Sequence, residues 1–144
     1  MILDKELMFS DNQAVTASAA STNVIDLGAI RNIGVGSRVF CVVVVTVAFT
    51  DSGSDSTVTV DLETDDNSSF SSAVARQRLG VFAALAPAGT RFIAALSPDV
   101  INERYLRVYY TLTGGSLTTG SFDAFLVNDI DAVSYYANNS TIQG

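Results

Sequence analysis

A chain of 144 residues, 48% of them hydrophobic, is long enough to bury one core without disulfides or metal, and its charged fraction of 16% is low for a globular domain. Its net charge of −7, with eight basic residues scattered along the chain, argues against the clustered phosphate contacts that a nucleic-acid binder needs. The absence of histidine removes the commonest general base, the usual zinc and iron ligand and the Ser-His-Asp arrangement together.

From the N-terminus, Asp4, Lys5 and Glu6 stand where a signal peptide has its apolar centre, so no N-terminal routing is expected and the protein reads as soluble. Residues 1–12 read as an arm. Ile2, Leu3, Leu7, Met8 and Phe9 make it more apolar than a free tail should be, so it is expected to dock on its own domain or on a neighbour, with Phe9 turned back into its own domain. Gln13 to Ala17 and Val24 to Leu27 are short strands or a continuation of the arm. Val39 to Thr50 is a near-continuous β-branched run, too short to cross a bilayer. It reads as a central strand covered on both faces or a long strand bending between sheets, with Cys41 buried inside it.

Asp51-Ser52-Gly53-Ser54-Asp55 forms a turn, and the segment Ser56 to Glu63 is expected to return as the second strand of a hairpin. There the alternation points Val58, Val60 and Leu62 to the core and Thr57, Thr59, Asp61 and Glu63 to solvent. A polar loop over Thr64 to Ser69 follows, with Phe70 plugging its base. Ala73 to Phe82 and Thr90 to Leu96 are the next strands, joined through Ala86-Pro87-Ala88-Gly89. In the strand from Arg104 to Leu112, Leu106, Val108 and Tyr110 share one face and Tyr105, Arg107 and Tyr109 the other. Thr113-Gly114-Gly115-Ser116 reads as a tight hairpin connection to Ser121–Val127. Asp129 to Ala137 is a final strand or one helical turn.

Short strands punctuated by turn signals, with no helix pattern of useful length and no internal repeat, predict an all-β fold: a single-domain β-sandwich over residues 1–144. A jelly roll of about eight antiparallel strands is the first expectation and an immunoglobulin-like sandwich the second, since strand order leaves no local trace.

Chemistry is sparse. No Gly-x-Gly-x-x-Gly or Walker-type loop occurs, and no cofactor, metal or small-molecule substrate is implied, so the chain is read as a non-enzyme. Asp51 with Asp55, and Asp65 with Asp66 and Asn67, could hold calcium, but Asp and Asn are also the ordinary residues of solvated turns and lack EF-hand spacing here. The sequons at Asn67-Ser68-Ser69 and Asn138-Asn139-Ser140-Thr141 carry little weight without a secretory signal.

The suggestive residues are those of a protein contact. Tyr105, Arg107 and Tyr109 on one strand face have the composition of interface anchors, and Tyr135-Tyr136 stand near the C-terminus. With Ile2, Leu3, Leu7 and Met8 of the arm they form the candidate partner interface. A carbohydrate- or receptor-binding β-sandwich is the alternative, weakened by the lack of tryptophan.

Phe9-Ser10-Asp11-Asn12-Gln13-Ala14-Val15-Thr16, Ser21-Thr22-Asn23-Val24-Ile25-Asp26-Leu27-Gly28 and Gly53-Ser54-Asp55-Ser56-Thr57-Val58-Thr59-Val60 continue into Glu63-Thr64-Asp65-Asp66-Asn67, Ala88-Gly89-Thr90-Arg91, Asn102-Glu103-Arg104-Tyr105-Leu106-Arg107 and Leu117-Thr118-Thr119-Gly120. In that order, over nearly the whole chain, they resemble the jelly-roll capsid cement (decoration) proteins of short-tailed bacteriophages. The resemblance implies a virion protein on the outer capsid surface, made in the host cytoplasm, that bridges major capsid protein subunits against the pressure of packaged DNA. It also implies a homo-oligomer, for which a homodimer is expected and a trimer is the alternative, with no nucleic-acid or membrane partner.

Overall fold

The computed structural model describes residues 4–33 and 36–128. One 3-10 turn, Lys5–Leu7, opens the chain, with the Asp4 side chain accepting from the Glu6 N–H at 3.0 Å. Nine strands follow: β1 Met8–Ala14, β2 Ala19–Ala20, β3 Ile25–Asp26, β4 Phe40–Thr50, β5 Thr57–Asp65, β6 Val74–Phe82, β7 Arg91–Ala95, β8 Tyr105–Thr113 and β9 Thr119–Val127. They build two antiparallel sheets, β1-β9-β4-β7 and β2-β8-β5-β6, with β3 pairing β8 beside β2. β2 and β3, two residues each, act as one interrupted strand, which leaves eight strand positions.

The pairing is nested. β1 pairs with β9, β2 and β3 with β8, β4 with β7, and β5 with β6, so the chain is one long hairpin folded over on itself. Folding it over brings β9 against β4 and β8 against β5, and the chain changes layer at every connection except β2 to β3 and β5 to β6. That connectivity is a jelly roll and separates it from the immunoglobulin-like alternative.

Two local expectations are overturned. β4 and β5 do not form a hairpin, and neither do β8 and β9, because each pair is split between the two sheets. Alternation fixes which side of a strand is buried but not which strand lies beside it, and here β4 and β5 bury their inner sides against the same core from opposite layers. The connections 51–56 and 114–118 are crossings at one end of the sandwich. Asp51 ties the first by accepting from the N–H groups of Gly53, Asp55 and Ser56 at 3.0–3.1 Å. Gly114 lies so close to it that a Cβ would fall 2.5 Å from the Asp55 carbonyl oxygen, and its φ of +96° also calls for glycine.

The core between the layers holds Phe9, Cys41, Val43, Val45, Val58, Val60, Leu62, Leu106, Val108, Tyr110, Phe122 and Ala124, all fully buried. Phe49, Phe82, Phe92 and Phe122 meet edge to face at 4.7–6.1 Å between ring centroids, and Tyr110 stacks on Phe122 at 4.8 Å. The long strand β4 is covered on both faces over residues 41–45, and its register with β9 shifts after Val45 and Val47.

The segment expected to be an arm through residue 12 enters the sheet at Met8. Phe9 does turn inward, as its apolar side chain requires, while Asn12 adopts a φ of +46° in a bulged stretch of β1. Of the strand expected over Gln13 to Ala17, only Gln13 and Ala14 are strand, as the end of β1. The final segment, Asp129 to Ala137, lies outside the described residues.

Candidate protein-binding face

Four ion pairs among the described residues gather on or beside the outer face of the second sheet. Alternation in β5 points Thr57, Thr59, Asp61 and Glu63 outward, and in β8 it does the same for Tyr105, Arg107, Tyr109 and Thr111, as expected. Register sets Asp61 opposite Tyr109 and Glu63 opposite Arg107. Arg107 Nε donates to Glu63 Oε2 at 2.7 Å, and both side chains are less than one-fifth exposed. The guanidinium also lies 4.3 Å from the Phe70 ring centroid and 5.4 Å from that of Tyr109, so it is held between two rings.

Three further pairs extend the pattern. Arg78 in β6 donates to Asp61 at 3.1 Å. Arg104 forms a two-pronged contact with Asp26 of β3 at 2.7 and 2.8 Å, and lies 5.0 Å from the Tyr105 ring. The same Arg104 hydrogen bond, helped by the Gly28 N–H, holds the Asp26 carboxyl down at about 2. At the lower corner Arg76 donates to Thr64 Oγ1 at 2.7 Å and contacts Glu103 at 3.0 Å, while the Thr64 hydroxyl donates to the same Glu103 carboxylate. Four of the seven arginines are thus neutralised on or beside one sheet face.

Such a face is charge-balanced, and its central pair, Arg107 with Glu63, is held in place. Arg107 is paired and sandwiched before any partner arrives, which lowers the entropy cost of contact, and the central charges are already largely out of water. Asp61 and Glu63 are both engaged by arginine.

The acidic loops serve their own turns. Burial works against ionisation of Asp65, but the N–H groups of Asn67 and Ser72 and the Ser72 hydroxyl, at 2.8–3.1 Å, hold its carboxyl below the usual range. Asp51 is similarly committed to backbone donors. No group of three or more cysteine and acidic side chains converges as metal ligands among the described residues.

The candidate interface residues do not come together. Tyr105, Arg107 and Tyr109 stand on the outer face of one sheet, whereas Met8 sits on the outer side of the other, buried against Val42, Val44 and Phe125. Met8 is therefore a buried strand residue and not part of an arm. Leu7 beside it is partly exposed, and Ile2 and Leu3 lie outside the described residues. Sequence reasoning missed Glu63, Phe70, Asp26 and Arg104. The alternating acids of β5 were a visible signal, but their partners lie 44 and 17 residues away and only the strand order reveals them.

A family model described as Bbp16 matches residues 9–126. None of the curated proteins compared with the chain matches it.

Proposed function

We propose that this chain, which belongs to the Bbp16 family, is a non-enzymatic structural protein of a tailed-phage head. In this reading it binds the outer surface of the icosahedral shell, bridges major capsid protein subunits and stiffens the DNA-filled particle. Support comes from the phage-related family, the jelly-roll sandwich and the resemblance of its segments to cement proteins. The observation that carries a binding role is the charge-neutral outer face of the β2-β8-β5-β6 sheet, centred on the Glu63–Arg107 pair between Phe70 and Tyr109.

Many identical weak contacts on a lattice sum through effective concentration, so modest affinity at one site can still fill the shell. A homodimer is the expected free form, since two-fold pairs are the commonest closed assembly. Quantitative mass spectrometry of purified particles from the encoding phage tests the reading. A cement protein appears at a copy number near that of the shell subunit, and particles lacking it release DNA at a lower temperature. Absence from particles, or equal heat resistance without it, refutes the proposal.

A further inference from the structure

β6 borders the β2-β8-β5-β6 sheet, and its pairing with β5 is stretched twice. Register shifts between Val60 and Asp61 and between Leu62 and Glu63 each give β6 one residue more than its neighbour. Thr59, Asp61 and Glu63, two apart on β5, therefore stand opposite Val81, Arg78 and Ala75, three apart on β6. Residues opposite one another share a face, so Ala75, Arg78 and Val81 line the outer flank of the sheet, and all three are exposed.

The residues between them serve the inside. Leu79 joins the core, and Gly80 lies under Phe92, where a Cβ would fall 2.4 Å from the ring. Gln77 donates to the Ala95 carbonyl at 2.8 Å and accepts from the Ser97 N–H at 3.1 Å. β6 is thus pinned to the β7 side from behind, with the outer row held in a fixed frame.

Arg78 differs from the other arginines of this face. Arg104 commits two nitrogens to Asp26, Arg76 commits two to Thr64 and Glu103, and Arg107 is held between rings. Arg78 meets Asp61 through Nε alone, at 3.1 Å, and its side chain is 64% exposed. Its two terminal amino groups have no hydrogen-bond partner among the described residues. Beside it lies an open cavity of about 250 Å³ lined by Asp61, Ala75, Arg76, Gln77 and Arg78.

A partner covering this flank takes those donors out of water, and guanidinium donors left unpaired in a dry contact weaken it. The partner therefore has to bring an acceptor to Arg78, and the two oxygens of a carboxylate match the guanidinium fork. A doubly charged phosphate is a poorer complement, because Asp61 already sits against the same guanidinium in a chain of net charge −7. Ala75 and Val81 flank the arginine with aliphatic surface, and Val81 stands opposite the uncharged Thr59.

We propose that Ala75, Arg78 and Val81 anchor the partner contact, and that the partner protein presents an Asp or Glu carboxylate to Arg78 with aliphatic side chains against Ala75 and Val81. The inference rests on the reading that this face meets the shell.

Binding of the full chain to assembled shells of the encoding phage tests it, using shells untreated or with their carboxylates converted to amides by carbodiimide and glycinamide. Arg78→Gln should bind untreated shells about tenfold or more weakly than the parent. Arg31→Gln makes the same change of charge at an exposed site between β3 and β4 and should bind as the parent does. Amidation should weaken the parent by a factor similar to that of Arg78→Gln, and should leave Arg78→Gln within about twofold of its own value. Equal binding by the parent and Arg78→Gln, or equal weakening by the two arginine variants, overturns the inference and leaves shell binding itself standing. Amidation that weakens the parent and Arg78→Gln alike also overturns it, as does amidation that weakens neither, which points to a phosphate or a neutral acceptor. A parent that does not bind untreated shells overturns the capsid reading and the inference with it.

Discussion

The hydroxyl of Tyr110, at the centre of β8, meets the hydroxyl of Ser10 in β1 at 2.8 Å, joining the two sheets through the core. Both residues are fully buried, and Ser10 donates onward to Gln13 Oε1 at 2.7 Å. Gln13 in turn accepts from the Thr22 N–H at 2.9 Å and donates to the Ala20 carbonyl at 2.8 Å, so one polar chain pins β1 to the segment around β2. Tyr110→Phe removes one of these bonds while Ser10 keeps Gln13, and should cost about 1 kcal/mol. Ser10→Ala should cost more, because it leaves the buried Tyr110 hydroxyl unpaired and also removes one donor from Gln13, and the double variant should cost less than the sum. Chemical denaturation of the three variants measures this. Additive losses would mean that the two hydroxyls do not share a bond.

Cys41 sits in β4 with no exposed surface, and burial pushes its thiol up to about 12. A thiolate is the reactive form, so native protein should leave an aromatic disulfide reagent unreacted while denatured protein consumes one equivalent. Rapid labelling of the native protein would contradict the placement of β4 between two covered faces.

Asp123 in β9 makes a pH-dependent contribution whose sign can be worked out. Burial, with the nearby Asp11, raises its carboxyl above the ordinary value, although the Asn12 N–H donates to it at 2.6 Å. A raised folded-state value means that the stabilising state is the protonated one, fully present below the unfolded value near about 4 and lost as pH rises. Asp123→Asn keeps the acceptor for Asn12 and removes the buried charge. It should raise the melting temperature at pH 7, and the gain should fade as pH drops toward the ordinary carboxylate range. A variant less stable than the parent at pH 7 would contradict this.

Much of the fold was legible because each strand of a two-layer sandwich shows its buried side as alternation. Val58, Val60 and Leu62 of β5, and Leu106, Val108 and Tyr110 of β8, are buried as their spacing requires. What could not be read is which strand lies beside which. The connections 51–56 and 114–118 have the composition of hairpin turns, yet both carry the chain between layers. For the same reason the face of Tyr105, Arg107 and Tyr109 was visible within β8, while its ion pairs with Glu63 and Asp26 were not, since they bridge strands far apart in sequence. Met8 misled because an apolar residue beside Lys5 and Glu6 looks like part of a loose arm, although its partners Val42, Val44 and Phe125 come from elsewhere in the chain.

The central claim, that the neutral outer face of the β2-β8-β5-β6 sheet contacts the capsid, is tested most directly by binding to assembled shells of the encoding phage. Thr59→Lys adds an excess positive charge to that face, opposite Thr111 in the register and two residues from Asp61. Ser37→Lys adds the same charge at an exposed site in the connection before β4. With both variants folded, the account predicts that Thr59→Lys weakens shell binding by about tenfold or more, since an uncompensated charge in a desolvated contact is costly, while Ser37→Lys binds as the parent does. Equal binding by all three proteins would contradict it.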